Sequence, residues 1–220
     1  MEKYIIYADN NYLNKNTKAY YTLDYYGGED SEDTQFIRDF KDTFDEKRSN
    51  VLNSAKAKAI SILKQALSEI MDKENIGACT VVAVPRAKAF DTYLPQQLFL
   101  IDAISSAAKS FNNIIDGTTY IRRHTNTKTT HIRSRDVGRM TAQGNIPPGE
   151  NANDGPEPYR GITQDTCHIS LTNIKGQTII LVDDIYTVNC HVDEDCIQAL
   201  YNAGAKEVIF YSLAKTVRRY

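Results

Sequence analysis

The sequence contains little that would take it outside ordinary globular chemistry. No apolar run approaches the ~18 residues that a membrane-spanning helix needs, and the mean hydropathy of −0.46 argues the same way. The first residues, MEKYIIYADNN, include an acidic side chain and lack a cleavable signal pattern, so a cytoplasmic, non-membrane location is expected. The 4 cysteines, Cys79, Cys167, Cys190 and Cys196, form no CxxC pair, which excludes an evident disulfide framework or zinc ribbon and reads as reduced thiols. Cys190, His191 and Cys196 are zinc-ligand types, but their spacing fits no common structural site, and a helix would carry Cys196 away from the other two. Internal repeats at solenoid periods are absent. A net charge of −2 gives no global attraction to nucleic acid. Charge is instead uneven along the chain, basic over positions 122–139 and mostly acidic over 29–45, so any polyanion site is local.

What remains is material for one core. At 220 residues, with 41% hydrophobic and 25% charged side chains, the chain suits one ordinary α/β domain with appendages. Positions 4–26 are rich in Tyr and Asn, and the pieces YIIYA and AYYTLDYY suggest one or two strands. From about Thr34, the spacing of Phe36, Ile37, Phe40 and Phe44 predicts a short amphipathic helix. Over 51–71, Leu52, Ala55, Ala59, Ile62, Leu63, Ala66, Leu67 and Ile70 fall at helical intervals. The run ACTVVAVP over 78–85 is continuous and β-branched, as in a parallel strand buried on both faces. A second helix is expected over 94–111, with Pro95 near its start, and a short strand in GTTYIRR. Positions 133–162 show no period, and NIPPGENANDGPEPYRG marks a long loop. The last third is a βαβ unit: a strand over 178–182, a polar turn, a helix from about Val192 to Asn202 stopped by Ala203 and Gly204, and a strand over 207–213.

The junction in this unit carries the chemistry. In an open α/β sheet, ligands bind beyond the carboxyl ends of the strands, so the strand ending in Asp183 and Asp184 is the position of interest. Backbone amides in the following turn and at the helix start can cradle a phosphate. The two carboxylates suit sugar hydroxyls or a hydrated Mg²⁺ rather than the phosphate itself. An isolated Asp-Asp pair would be no more than a strand end. Here a buried strand precedes it, and Thr187 and the stretch ALYNAGAKEVIFYSLA follow it.

The stretch IILVDDIYTVNCHVDEDCIQALYNAGAKEV resembles the phosphoribosyl pyrophosphate (PRPP) motif of type I phosphoribosyltransferases: four apolar residues, two acidic ones, two variable positions, then Thr-Thr/Ser-Gly-x-Thr. Asp183, Asp184 and Thr187 match that pattern, while Val188 replaces the second hydroxyl, Asn189 the glycine and His191 the last threonine. Asn is the best non-glycine residue where φ is positive. Val188 removes a donor worth roughly 1–2 kcal/mol of phosphate affinity, and His191 can donate in place of Thr. VVAVPRAKA resembles the family's pyrophosphate strand and loop, which implies that Arg86 and Lys88 contact pyrophosphate. YIRRHTNTKTTHIRSRDVGRM resembles the ComF-like branch, in which an Arg-bearing mobile loop closes over PRPP. Here Arg122 or Arg123, Thr127, Thr130, His131, Arg133 and Arg135 fill that segment. FIRDFKDTF is similar to the Lys-bearing helix of that branch, with Lys41 as the match, and the N-terminal zinc-binding cysteines sometimes found there are absent.

The resemblance covers about 34–215 and is strongest over 178–213. It implies a mainly parallel central sheet flanked by helices, with residues 1–74 as a small N-terminal hood and 75–220 as the phosphoribosyltransferase-like core. It implies transfer of phosphoribosyl from Mg-PRPP to a nitrogen acceptor with release of pyrophosphate. Asp183, Asp184, Arg133 and Arg135 are then the catalytic candidates. Arg86, Lys88, Tyr186, Thr187, Val188, Asn189, Cys190 and His191 are the substrate-binding ones, and Mg²⁺ is held indirectly by Asp183 and Asp184. The alternative is a catalytically altered PRPP- or nucleotide-binding protein, or a ComF-like accessory of DNA uptake. The acceptor base is not identified, nucleic acid is not indicated by the net charge, and a homodimer is left open.

Overall fold

The computed structural model describes residues 1–26, 31–41, 48–128, 157–188 and 190–217, with the side chains of Thr34, Lys41 and Gln96 outside that description. Strands β1 (Glu2–Ile6), β2 (Thr17–Tyr25), β3 (Cys79–Ala83), β4 (Ile114–Asp116), β7 (Thr178–Tyr186) and β8 (Glu207–Thr216) form one sheet in the order β1-β2-β8-β7-β3-β4. Only β1 runs antiparallel to its neighbour; the β2, β8, β7, β3 and β4 pairings are parallel. Strands β5 (Ile121–Arg123) and β6 (Cys167–Ile169) make a separate antiparallel pair. The protein is therefore α/β, with a six-stranded, mostly parallel central sheet flanked by helices.

Alternation along β7 builds both faces of the core. Ile180 and Val182 join Phe36, Leu63, Leu67 and Ile104 on the face covered by α1 (Glu32–Lys41), α2 (Ser49–Lys73) and α3 (Phe99–Ala108). Ile179 and Leu181 join Ile197, Leu200 and Phe210 on the opposite face, under α5 (Val192–Asn202). The short helix α4 (Leu171–Ile174) lies between β6 and β7 in the chain, and its Ile174 is buried. Helix α2 buries the residues its periodicity marks, except that Ile62 is only partly buried and Met71 joins the buried set. Strand β3 is buried at all five residues because β4 and β7 flank it.

Several boundaries differ from the sequence reading. The N-terminal segment expected as a hood contributes β1 and β2 to the central sheet, β2 pairing directly with β8, and α1 and α2 to the core. The helix expected over 94–111 opens with a 3-10 turn, Pro95–Leu98, and becomes α-helical only at Phe99. Proline has no N–H and a fixed φ, which suits a tight first turn. GTTYIRR is strand only at its end. Before β5, Thr118 folds back so that its amide and hydroxyl donate to Asp116 Oδ1 at 3.1 and 2.7 Å. Most of the loop expected over 133–162 lies outside the described residues. Among the described residues no helix is long and apolar enough to cross a membrane.

Candidate functional site

The chain leaves β3 toward β4 on one side and β7 toward β8 on the other, so the carboxyl ends of β3 and β7 flank the switch point of the sheet. Ala83 pairs with Val182, and the Val84 amide donates to the Val182 carbonyl at 2.9 Å. There β3 turns away at Pro85. Strand β7 does not stop with it: it continues to Tyr186, still paired with β8 through Asp183↔Ser212, Ile185↔Ala214 and Tyr186↔Lys215. This corrects the strand end expected at Val182. Asp183 pairs with Ser212 and the pairing resumes at Ile185, so both aspartates lie within a strand rather than in a turn. The result is a step in the sheet with the half-buried Asp183 and Asp184 on it.

The turn that follows is tightly engaged. Tyr186 is only 5% exposed, lies edge-on to Phe210 with ring centroids 5.6 Å apart, and donates its hydroxyl to Glu194 Oε1 at 2.8 Å. Its side chain thus belongs to the core beneath the crevice. The Thr187 and Thr216 hydroxyls are hydrogen-bonded at 2.8 Å. Val188 is exposed, the Cys190 amide donates to the Thr187 carbonyl at 3.1 Å, and Asn189 lies outside the described residues. Among the described residues of the turn, His191 is left-handed, with φ of 58°. Its ring stacks on Tyr12 at 4.3 Å, and its Nδ1 is 3.8 Å from Asp9 Oδ2. Asp9 in turn accepts the amides of Asn11, Tyr12 and Leu13. The loop between β1 and β2 therefore straps the start of α5, reinforced where the Asn14 amide donates to Gln198 Oε1 at 2.8 Å.

Helix α5 brings its own anions to its N-terminus. Asp193, Glu194 and Asp195 occupy the first turn and are all buried. They complement the helix dipole there, which lessens its pull on an external phosphate. Burial, then the neighbouring Asp183 and Glu194, push the Asp193 carboxyl well above the usual range. Its Oδ1 and Glu194 Oε2 are buried without a hydrogen-bond partner. A carboxyl held more tightly protonated in the native state costs stability as the pH rises above the ordinary carboxylate range. Asp193→Asn is accordingly expected to stabilise the protein by about 1 kcal/mol at pH 8, and by less at pH 5. Thermal melts at the two pH values measure this; an unchanged or lower melting temperature at pH 8 would contradict it.

Across the step, the basic residues after β3 are held by their own surroundings. The Arg86 guanidinium donates to the Gln97 carbonyl and lies 4.8 Å from the Tyr93 ring centroid. Lys88 Nζ donates to the Thr127 carbonyl at 2.7 Å, and the Lys88 amide donates to the Tyr93 hydroxyl at 2.7 Å. Together with Val84, Pro85, Ile101 and Thr118, these side chains line a shallow pocket at the end of β3. Arg122 pairs with Asp91 at 3.1 Å and covers the Phe90 ring at 4.0 Å. Arg133 and Arg135, expected on a closing loop, lie outside the described residues, as do Thr130 and His131.

Sequence reasoning did not mark the burial of Arg123 or of the acids in the first turn of α5. Arg123, named there beside Arg122 in the ComF-like segment, is 2% exposed and donates from Nε to the Arg86 carbonyl at 2.9 Å and from Nη1 to the Gly161 carbonyl at 3.3 Å. Strand alternation could have shown it, since Ile121 and Arg123 share the inward face of β5. Asp195, read only as part of a helix start, accepts the Ile162 amide at 3.0 Å. Of the cysteines, Cys196 is wholly buried in the core while Cys190 is half-buried on the turn. No family model matches the chain, and no curated protein matches it either.

Proposed function

We propose that the protein binds Mg-PRPP at the step between β3 and β7 and transfers the phosphoribosyl group to a nitrogen acceptor. The observation that carries this reading is the pair Asp183 and Asp184 on β7 just past its last contact with β3, at the switch point of a mostly parallel sheet. In the reaction the bond from the anomeric carbon to pyrophosphate oxygen breaks. A bond from that carbon to the acceptor nitrogen forms, pyrophosphate departs with the electron pair, and the nitrogen loses a proton. Asp183 and Asp184 accept hydrogen bonds from the ribose hydroxyls and favour the positive charge that develops on the sugar. Arg86 and Lys88 bring positive charge to the leaving-group side, and the β7 to α5 turn faces the 5-phosphate.

The donor set fits Mg²⁺ held through its waters and the ligand. Among the described residues no three His, Cys, Asp or Glu side chains converge as a metal cage. Mg²⁺ instead suits one or two carboxylates plus substrate phosphates. Asp183 and Asp184 would hold it, and when bound it neutralises charge on the pyrophosphate. A PRPP-dependent assay of pyrophosphate release over a panel of nitrogenous bases tests the transfer. Release with at least one base is expected, and hydrolysis no faster than the protein-free control with every base would sink it.

A second reading, a protein that binds PRPP or a nucleotide without transfer or serves DNA uptake, is favoured by one feature. The start of α5 is loaded with three buried carboxylates, and its His191 is packed against Tyr12. That reading predicts ligand binding without pyrophosphate release, and a steeply salt-dependent interaction if the partner is nucleic acid.

A further inference from the structure

The loop carrying Arg86 and Lys88 is gripped at successive backbone groups by the segment that ends β5. Arg123 Nε donates to the Arg86 carbonyl at 2.9 Å. The Thr127 amide and hydroxyl both donate to the Ala87 carbonyl, at 2.8 and 2.7 Å. The Ala89 amide donates to Asn126 Oδ1 at 2.8 Å. Thr127 is fully buried and Arg123 nearly so, which gives the grip a dry, fixed setting.

Arg123 also reaches the other side of the step. Its Nη1 donates to the Gly161 carbonyl at 3.3 Å, and the next residue, Ile162, donates its amide to Asp195 Oδ2 at 3.0 Å. Asp195 stands in the first turn of α5, immediately after the β7 turn. A continuous path therefore runs from the Arg86 backbone through Arg123, Gly161 and Ile162 to the start of α5. Burying a guanidinium is costly, and a planar fork that bonds two carbonyls at once is what arginine offers over lysine. Arg123 makes no ion pair within 4.0 Å among the described residues; against the burial that raises it, the Asp195 carboxyl is drawn down by Arg123 only through space, and the direct bonds of Arg123 go to the two carbonyls.

We propose that Arg123 and Thr127 are positioning residues that fix the loop bearing Arg86 and Lys88 relative to Asp183 and Asp184. They act through the backbone of residues 86–87 rather than on the ligand. The inference rests on the Mg-PRPP reading. Its consequence is coupling: a basic side chain on the loop can contribute to binding only while the loop is held.

Isothermal titration of the full chain with Mg-PRPP, on wild type, Arg123→Gln, Lys88→Ala, Asp184→Asn and the two double variants containing Arg123→Gln, tests it. Arg123→Gln and Lys88→Ala are each expected to weaken binding about tenfold, yet Lys88→Ala should cost less than about twofold once Arg123 is gone. Asp184→Asn should keep its full penalty in both backgrounds. A merely structural role for Arg123 would lower the melting temperature and leave the Lys88 penalty intact. If Arg123→Gln fails to fold by circular dichroism, Thr127→Val takes its place in the same cycle, since it deletes one of two donors to Ala87 and keeps its shape. Additive penalties for Lys88→Ala overturn the proposal alone. No binding by the wild type overturns both it and the Mg-PRPP reading.

Discussion

Asp184→Asn is expected to lower PRPP-dependent pyrophosphate release by about 10- to 100-fold, the loss of one charge-assisted contact in the transition state. Asp183→Asn should reduce release comparably but differ in stability. Asp183 is the first charged neighbour to raise the Asp193 carboxyl after burial itself, so neutralising it lessens the cost of ionising that carboxyl. The Asp183 variant is therefore expected to melt no lower than wild type while losing activity. Loss of activity accompanied by a lower melting temperature would mean that Asp183 holds the step together rather than serving the ligand. Undiminished release by Asp184→Asn would remove that carboxylate from the mechanism.

Glu74→Gln is expected to destabilise the protein by about 1–2 kcal/mol at pH 7, a fall of about 3–6 °C in melting temperature. Glu74 ends α2 and accepts Lys3 Nζ and Lys18 Nζ, each at 2.6 Å, as well as the Tyr20 hydroxyl. Lys18 reaches on to Glu207 at 3.1 Å, so one carboxylate ties a helix end to β1, β2 and β8. Burial would raise this carboxyl, but hydrogen bonds from Lys18, Lys3 and Tyr20 outweigh it and bring the carboxyl down from the ordinary 4.5 to about 2. Both lysines are about half exposed, at 52% and 42%, which limits the gain. A depressed carboxyl contributes fully above its unfolded value and loses that contribution as the pH falls through its folded one. The gap between wild type and variant should hold from pH 8 to about pH 5 and close toward pH 2. Chemical denaturation over that range measures it; no gap at pH 7 would contradict the role given to Glu74.

Much of the frame was legible because local chemistry and tertiary setting agree. The period of α2 and the unbroken apolar runs of β3 and β7 each name an element that the structure contains. Hydrophobic pattern could not give the end of β7, since two aspartates read as the end of a strand until β8 is seen to run on beside them to Tyr186. The three residues of β4 are too few to show a period, and they pair only because β3 offers an edge. Burial of Asp193, Glu194 and Asp195 was hidden for a different reason: acids in a first turn fit an exposed helix start equally well. Contacts between distant segments, such as His191 with Tyr12 or Arg123 with Gly161, leave no local signal. The aspartate pair was found because it follows a strand, and the grip on residues 86–89 was not, because it is made through backbone groups.

The central claim is that the step between β3 and β7 holds PRPP, and titration of the wild-type protein with PRPP in the presence of Mg²⁺ tests it most directly. Saturable heat that disappears in the Asp183→Asn/Asp184→Asn double variant is the predicted result. No heat at millimolar ligand, or the same heat from wild type and double variant, would contradict it.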